Sequence, residues 1–350
     1  MQLNSIGRRH FMVGGTAVLA GCAGVGGLEA RPAPPAVAAE HGRRRYGPFR
    51  GMMPIMATPV DNDHKVDLVS QRRLVDYCIQ CGAVAVGHFA NASEFKKISD
   101  PDRSRLLDVV TEQVNGRVPF FAGVTGKTSA DILRYAREAL ARGADLMMCA
   151  LPYEEELDQP RTLALFQELA AAADLPIIIQ DMTSTAHIFT PELVMQIAEA
   201  TGQIHSINAE SDDFLTKTAE LQEQFKGTMQ VIGGAGGRHL IHLLRLGATA
   251  FMTGTEAVEI HGAAVQAYLH GDEEAAASVY YERILPYLMF YSGPNSLRNL
   301  KMMLHMRGII DTPNVCAPDD VPPAYGPVVM KEYLWTLERI GWNKTWPNIP

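Results

Sequence analysis

Several short apolar segments of this chain are followed at once by polar side chains that could bind or deprotonate a small organic molecule. Amides and hydroxyls can hold a carboxylate or a developing oxyanion, and carboxylate, imidazole and phenol groups can transfer protons. We therefore define two sets of candidate residues. The candidate catalytic residues are Asn208, Asp181, Tyr153 and His88. The candidate substrate-binding residues are Asn91, Ser93, Glu94, Gln180, Thr183, Glu210 and Thr253.

The elements that must position these residues follow a regular alternation. Past residue 50, short apolar runs typical of buried strands alternate with longer runs of helical periodicity. Eight such units predict an α/β fold, a closed (β/α)8 TIM barrel, in which the loops after the strands carry the chemistry. The predicted strands are residues 51–57, 83–87, 120–124, 146–150, 177–180, 205–208, 229–233 and 250–253.

Helical periodicity continues after the eighth predicted strand, over residues 257–270, 273–291 and 296–307. These runs predict a C-terminal helical extension that packs on the barrel. We therefore divide the chain into a leader over residues 1–38, the barrel over residues 48–256, and the extension and tail over residues 257–350.

The leader has the features of an export signal. Residues 7–12 (GRRHFM) form a twin-arginine pattern, which a short apolar segment follows. Residues 19–22 (LAGC) resemble a lipobox, in which Cys22 would be the lipid attachment site. Residues 36–38 (AVA) form a competing cleavage site. The leader predicts export by the twin-arginine (Tat) machinery to the periplasm or cell envelope, and it leaves open whether the mature protein is lipid-anchored or soluble.

Composition and charge argue against several other classes of function. A hydrophobic content of 47% with 20% charged residues indicates a globular chain with a large core. The net charge of −8, without a basic stripe, argues against nucleic-acid binding. Cys78 and Cys81 have the spacing of a metal or redox pair, but they lie in a helical pattern without a second pair, so we predict buried helix thiols. We predict no metal and no other cofactor.

Short motifs occur in a characteristic order along the predicted barrel. They are residues 57–59 (Ala-Thr-Pro), 90–94 (ANASE), 98–103 (ISDPDR), 151–153 (LPY), 176–181 (PIIIQD), 207–210 (INAE) and 246–250 (LGATA). Over about residues 48–315 the chain thereby resembles the dihydrodipicolinate synthase/N-acetylneuraminate lyase family. The resemblance implies a TIM barrel that acts on a small organic acid or carbonyl compound, and a homo-oligomer, commonly a tetramer.

The positions that carry the chemistry of this family differ here. The resemblance implies a lysine on the sixth strand that forms a Schiff base with a 2-oxo acid, but Asn208 stands at that position. Gln180 stands in place of a proton-shuttling tyrosine, and Thr185 in place of a carboxylate-binding arginine. Asn91 and Ala92 replace a threonine pair that holds the substrate carboxylate. An amide nitrogen is not nucleophilic, so Asn208 cannot form the imine.

Two functions of different classes fit these residues. The first is a carbon–carbon lyase or hydro-lyase that works without a Schiff base. The amides of Asn208 and Gln180 would stabilise an enolate, while Asp181, His88 or Tyr153 would move protons. The second is a non-catalytic periplasmic binding protein for a sugar acid or an oxo acid. In both cases the partner is a small molecule.

Some candidates also have other interpretations. Glu94 could equally be a structural residue that holds its loop in place. His88 could be a buried histidine whose ring nitrogens are hydrogen-bonded. Lys127, within residues 126–129 (GKTS), is a lysine near a strand end. It could supply a relocated amine for a third function, the ordinary aldolase, or it could be a surface charge before a helix cap.

Overall fold

The computed structural model describes residues 46–182, 187–210, 213–291, 293 and 295–342. The predicted leader, with Cys22, lies outside the described residues, and so does the candidate Thr183.

Eight parallel strands form one sheet in the order β1-β8-β7-β6-β5-β4-β3-β2. A parallel bridge between Ile55 and Gly87, with the Gly87 N–H donating to the Pro54 carbonyl (2.9 Å), joins the chain after β1 to β2. The sheet is therefore closed, and the predicted (β/α)8 TIM barrel is confirmed. The strands are β1 Gly51–Met52, β2 Val86–His88, β3 Phe120–Gly123, β4 Leu146–Cys149, β5 Ile177–Met182, β6 Ile204–Glu210, β7 Gln230–Gly233 and β8 Ala250–Phe251.

A helix follows each strand. The first five helices begin at side-chain caps, which accept a hydrogen bond from a backbone N–H of the first turn: Asp67, Ser99, Thr128, Asp158 and Thr190. The helices of the barrel are α1 Leu68–Gln80, α2 Asp100–Val114, α3 Ser129–Ala141, α4 Gln159–Ala172, α5 Pro191–Thr201, α6 Phe214–Phe225, α7 Leu240–Arg245 and α8 Val258–Leu269.

The predicted C-terminal extension is also helical. Helix α8 packs beside β1 and completes the eighth βα unit. The extension proper consists of α9 Glu273–Val279, a π-helical turn Tyr280–Ile284, α10 Leu285–Tyr291, α11 Ser296–Met306 and α12 Pro327–Arg339. Most of its buried apolar side chains form one cluster with those of α7 and α8, whereas Leu300 and Leu304 of α11 pack in the large cluster of the barrel. Within the described part of the chain, no helix is long and apolar enough to cross a membrane.

The alternation of side chains along each strand decides which residues can reach the barrel interior. On β5, Ile178 packs inside the barrel with Met148 and Ile232. Its neighbours Ile177 and Ile179 pack in the separate cluster that includes the surrounding helices. Continuing this alternation, Gln180 faces the interior and Asp181 faces the helices.

Candidate functional site

A cavity of about 230 Å³ lies at the carboxyl ends of the strands. This is the end at which TIM-barrel enzymes carry their active sites. The lining combines apolar residues with amide, hydroxyl and charged side chains. The polar lining residues are Asn91, Gln180, Asn208, Glu210, Arg238, Thr253, Tyr291 and Ser296.

Gln180, Asn208 and Glu210 are neighbours in the polar lining. Gln180 on β5 lies in register with Asn208 on β6. The Gln180 side-chain amide donates to Glu210 Oε2 (3.2 Å), and the backbone N–H of Ala235 donates to Glu210 Oε1 (2.9 Å). The Asn208 side-chain oxygen is buried without a hydrogen-bond partner among the described residues. Buried polar atoms are normally hydrogen-bonded, so we expect water or a bound molecule in the cavity to donate to this oxygen.

Two further candidates reach the same cavity. Thr253, just after β8, is buried, and its hydroxyl donates to the Gly254 carbonyl (3.0 Å). Asn91 lies at the exposed rim, where its side-chain amide is 3.9 Å from the sulfur of Met182. The structure thus brings five sequence-predicted residues together: Asn91, Gln180, Asn208, Glu210 and Thr253.

His88 does not line the cavity. Its Nδ1 accepts from the Phe89 N–H (2.8 Å), and its Nε2 lies 3.3 Å from the side-chain oxygen of Gln71. Burial, and then the nearby Arg103 cation, lowers the pKa of His88 to about 3. We therefore correct the proposed catalytic role: His88 is a neutral, hydrogen-bonded histidine of the barrel wall.

Ser93 and Glu94 hold the loop that follows β2. The Ser93 hydroxyl donates to the Met56 carbonyl (2.6 Å). The Glu94 carboxylate pairs with Lys301 of α11 (2.5 Å) and accepts from the Cys316 N–H (2.8 Å). Both Glu94 and Lys301 are almost fully buried. The substrate-binding role expected for these two candidates is corrected to a structural one, because their polar atoms are engaged away from the cavity.

Asp181 faces outward, as the strand alternation requires. Its carboxylate is fully buried and lies 2.7 Å from the ammonium of Lys217, on α6. Asp181 is absent from the cavity lining. The catalytic role predicted for Asp181 is therefore corrected to that of a buried ion pair between β5 and its neighbouring helix.

Tyr153 and Lys127 also lie outside the cavity. The Tyr153 ring packs edge-on against Phe95 (5.9 Å between centroids), and the Lys96 ammonium lies 4.5 Å from its centre. Lys127 is mostly exposed and pairs with Glu154 (3.2 Å). Tyr153 thus belongs to a surface aromatic cluster, and Lys127 has the surface-charge role considered as its alternative.

Three polar lining residues were missed from the sequence. Arg238 follows β7, and it contributes a cation at the exposed rim. Tyr291 and Ser296 come from the C-terminal extension, which folds back over the barrel mouth. A polar residue just after a predicted strand was the available signal for Arg238. No local signal marks Tyr291 or Ser296, because a segment far along the chain brings them to the site.

Comparisons with known proteins agree with the fold and the motifs. A model of the "Dihydrodipicolinate synthetase family" matches residues 48–320. The chain belongs to this family. Its members are lyases of the aldolase type, so membership indicates lyase chemistry in general terms.

Individual family relatives are distant. The 4-hydroxy-tetrahydrodipicolinate synthase of Leptothrix cholodnii is 24% identical over 265 residues, 75% of this chain and 89% of that protein. The protein of the same name from Salinibacter ruber is 29% identical over 166 residues, so that match spans 47% of this chain and 55% of that protein. N-acetylneuraminate lyase from Mycoplasma synoviae has the same fold, with a TM-score of 0.71, 17% identity, and coverage of 83% of this chain and 98% of its own.

Proposed function

We propose that this chain is a lyase that acts on a small organic acid or carbonyl compound without forming a lysine imine. The observation that carries the proposal is the composition of the cavity: its described lining contains no lysine and includes Asn208. Imine formation needs a neutral amine within reach of the carbonyl carbon. Among the residues that the structure describes, the buried lysines are Lys217 and Lys301, and both are paired with carboxylates outside the cavity.

The polar lining supplies the parts that a non-covalent mechanism needs. The Arg238 guanidinium at the rim would hold the carboxylate of the substrate. The amides of Asn208 and Gln180 would donate hydrogen bonds to the oxygen of an enolate as it gains charge. Glu210, which lies beside Gln180, would take the proton from the adjacent carbon. These roles replace those expected for Asp181 and His88.

Incubation with pyruvate and borohydride is expected to leave the mass of the chain unchanged. The amide nitrogen of Asn208 cannot attack a carbonyl carbon, and borohydride traps only an imine. Intact-mass measurement reads the result, with a lysine-dependent relative as the positive control. A reduced adduct mapped by peptide analysis to Lys127, Lys217 or any other lysine would overturn the proposal.

Replacing Arg238 with alanine is expected to weaken the binding of small carboxylates about 10- to 100-fold, because a hydrogen bond to a charged group contributes roughly 1.5–3 kcal/mol. Titration calorimetry with pyruvate, oxalate and gluconate measures the effect. Arg245→Ala is the matched control, since Arg245 is an exposed arginine that pairs with Glu273 outside the cavity. Equal affinities in both variants would contradict the assignment of Arg238.

The amide-rich lining also supports the second candidate, a binding protein for a sugar acid or oxo acid. Amides and hydroxyls hold carboxylates and sugar hydroxyls without transferring protons. The two candidates differ in turnover. A lyase that forms an enolate exchanges the protons beside the carbonyl of a bound 2-oxo acid with solvent, whereas a binding protein holds the acid unchanged.

We also propose that the protein is exported to the cell envelope by the twin-arginine route, which the GRRHFM pattern supports. Changing Arg8 and Arg9 together to lysine is expected to retain the protein in the cytoplasm, as measured by cell fractionation. Retention of the unchanged protein would contradict export. Palmitate labelling that is lost in Cys22→Ser would identify the lipid-anchored form. From the family resemblance we further propose a homo-oligomer, with a tetramer as the expected form.

A further inference from the structure

A buried carboxyl group lies directly behind the cavity wall. Glu256 follows β8 and is 1% exposed. Its backbone carbonyl accepts from the indole N–H of Trp342 (3.1 Å) and from the Arg307 guanidinium (3.3 Å). These contacts tie the residue to the C-terminal extension and fix the position of its side chain. None of the functions assigned above uses this carboxyl group.

The two oxygens of this carboxyl group differ. Oε1 accepts a hydrogen bond from the Tyr287 hydroxyl. Oε2 is buried and has no hydrogen-bond partner among the described residues. A Cβ added to Gly254 would collide with Oε2 and would lie 3.0 Å from the hydroxyl oxygen of Tyr291. Gly254 and Tyr291 both line the cavity, so Oε2 and the Tyr291 hydroxyl oxygen both lie within 3.0 Å of one point beside its wall, although no hydrogen bond joins them in this structure.

The surroundings favour a protonated carboxyl group. Burial raises the pKa of Glu256 to about 7, and the hydrogen bond from Tyr287 partly opposes this rise. Glu259 on α8 raises the pKa further, and Arg307 lowers it. The other titratable groups that interact with this carboxyl are Tyr291 on α10, Tyr333 on α12 and Cys78 on α1. The pKa values of all three are raised above the ordinary range, so they stay neutral while Glu256 titrates.

We propose that Glu256 is a proton reservoir that exchanges its proton with the cavity through the hydroxyl of Tyr291. Tyr291 lines the cavity, and Glu256 acts through it as a positioning residue. The inference rests on the proposed function only for the fate of the proton inside the cavity.

The transfer balances in protons and charge. The Tyr291 hydroxyl gives its proton to a carbanion or enolate in the cavity and takes the proton of the Glu256 carboxyl group. The products are a neutral, protonated ligand carbon, a neutral tyrosine and a Glu256 carboxylate. Solvent restores the Glu256 proton by the same path once the product leaves.

Infrared difference spectroscopy of the purified full-length chain tests the reservoir without any substrate. As the pH is raised, the carbonyl band of a protonated carboxyl group should disappear, with a midpoint at about pH 7. This band should be absent in Glu256→Gln. In Tyr287→Phe its midpoint should rise, because that variant loses the hydrogen bond that favours the carboxylate. Absence of any such band in the wild type, or an unmoved midpoint in Tyr287→Phe, would overturn the proposal.

Rapid dilution into heavy water tests the path. The band should shift at once in the wild type, and Tyr291→Phe should slow the exchange about tenfold or more, because the phenol oxygen that relays the proton is gone. Tyr281→Phe is the control, since Tyr281 is 52% exposed on the surface of the extension. Exchange in Tyr291→Phe that is as fast as in the wild type would exclude this relay.

Incorporation of deuterium into the methyl group of pyruvate, followed by NMR, separates this inference from the proposed function. The wild type should incorporate deuterium. In Glu256→Gln and in Tyr291→Phe the rate of incorporation should be lower by about tenfold or more, and it should no longer change with pH near neutrality. Incorporation that neither variant slows would overturn the relay and leave the lyase proposal standing. If the wild type incorporates no deuterium while the infrared results hold, the lyase proposal fails and the relay stands.

Discussion

Replacing Asp181 with alanine is expected to lower the free energy of unfolding by about 3–5 kcal/mol, because it breaks a buried ion pair by removing the carboxylate that lies 2.7 Å from the Lys217 ammonium. Asp181 is fully buried, and the Lys217 side chain is 11% exposed, so solvent cannot replace the lost partner. Ligand binding by the folded fraction should be preserved, since Asp181 lies outside the cavity. Urea unfolding and titration calorimetry measure the two quantities.

A surface aspartate provides the control for this experiment. Asp108→Ala removes an exposed partner of Arg142 and should change the stability by less than about 1 kcal/mol. The double variant Asp181→Asn with Lys217→Met should recover part of the loss, because it removes both charges. Stability equal to the wild type in Asp181→Ala, combined with loss of ligand binding, would restore Asp181 to the active site.

Replacing Lys301 with methionine is expected to cost a similar amount, about 3–5 kcal/mol, because the Glu94 carboxylate is then buried without its cation. The pair joins α11 to the loop after β2, and the same loop carries Asn91 at the cavity rim. The variant should therefore also weaken carboxylate binding, although Lys301 touches no ligand. Urea unfolding measures the first effect, and calorimetry with pyruvate measures the second.

Lys97→Met is the matched control for Lys301→Met. Lys97 lies close to the same loop, but its partner Asp320 is about half exposed, so this change should cost less than about 1 kcal/mol. The double variant Glu94→Gln with Lys301→Met should be more stable than Lys301→Met alone. Equal losses for Lys97→Met and Lys301→Met would show that burial of the Glu94 pair contributes nothing.

The fold could be predicted from the sequence because its determinants are local. Short apolar runs alternate with amphipathic ones, and caps such as Asp67, Thr128 and Thr190 mark where helices begin. The positions of two candidate site residues, Asn208 and Gln180, could be predicted for the same reason, since they lie near the carboxyl ends of two neighbouring strands, which meet at the barrel mouth.

Neighbouring candidates on one strand could not be assigned so easily. Gln180 and Asp181 are adjacent and equally polar, but one faces the cavity and the other pairs with Lys217. Adjacent residues of a strand point to opposite faces of the sheet, and the sequence does not show which of these two residues faces the barrel interior. His88 is the last residue of β2, and Glu94 lies in the loop after it. Their polar atoms nevertheless interact with buried partners from other segments, Gln71 and Lys301 respectively.

The sequence by itself determined the eight-unit barrel, and it placed Gln180 and Asn208 on two neighbouring strands of that barrel. The tertiary structure alone decided that Arg238, Tyr291 and Ser296 complete the cavity, and that Glu256 lies behind its wall. The physical reason is the separation along the chain over which each interaction acts. Periodicity and capping act over a few residues, whereas the packing of the C-terminal extension on the barrel places side chains from distant parts of the chain within hydrogen-bonding distance.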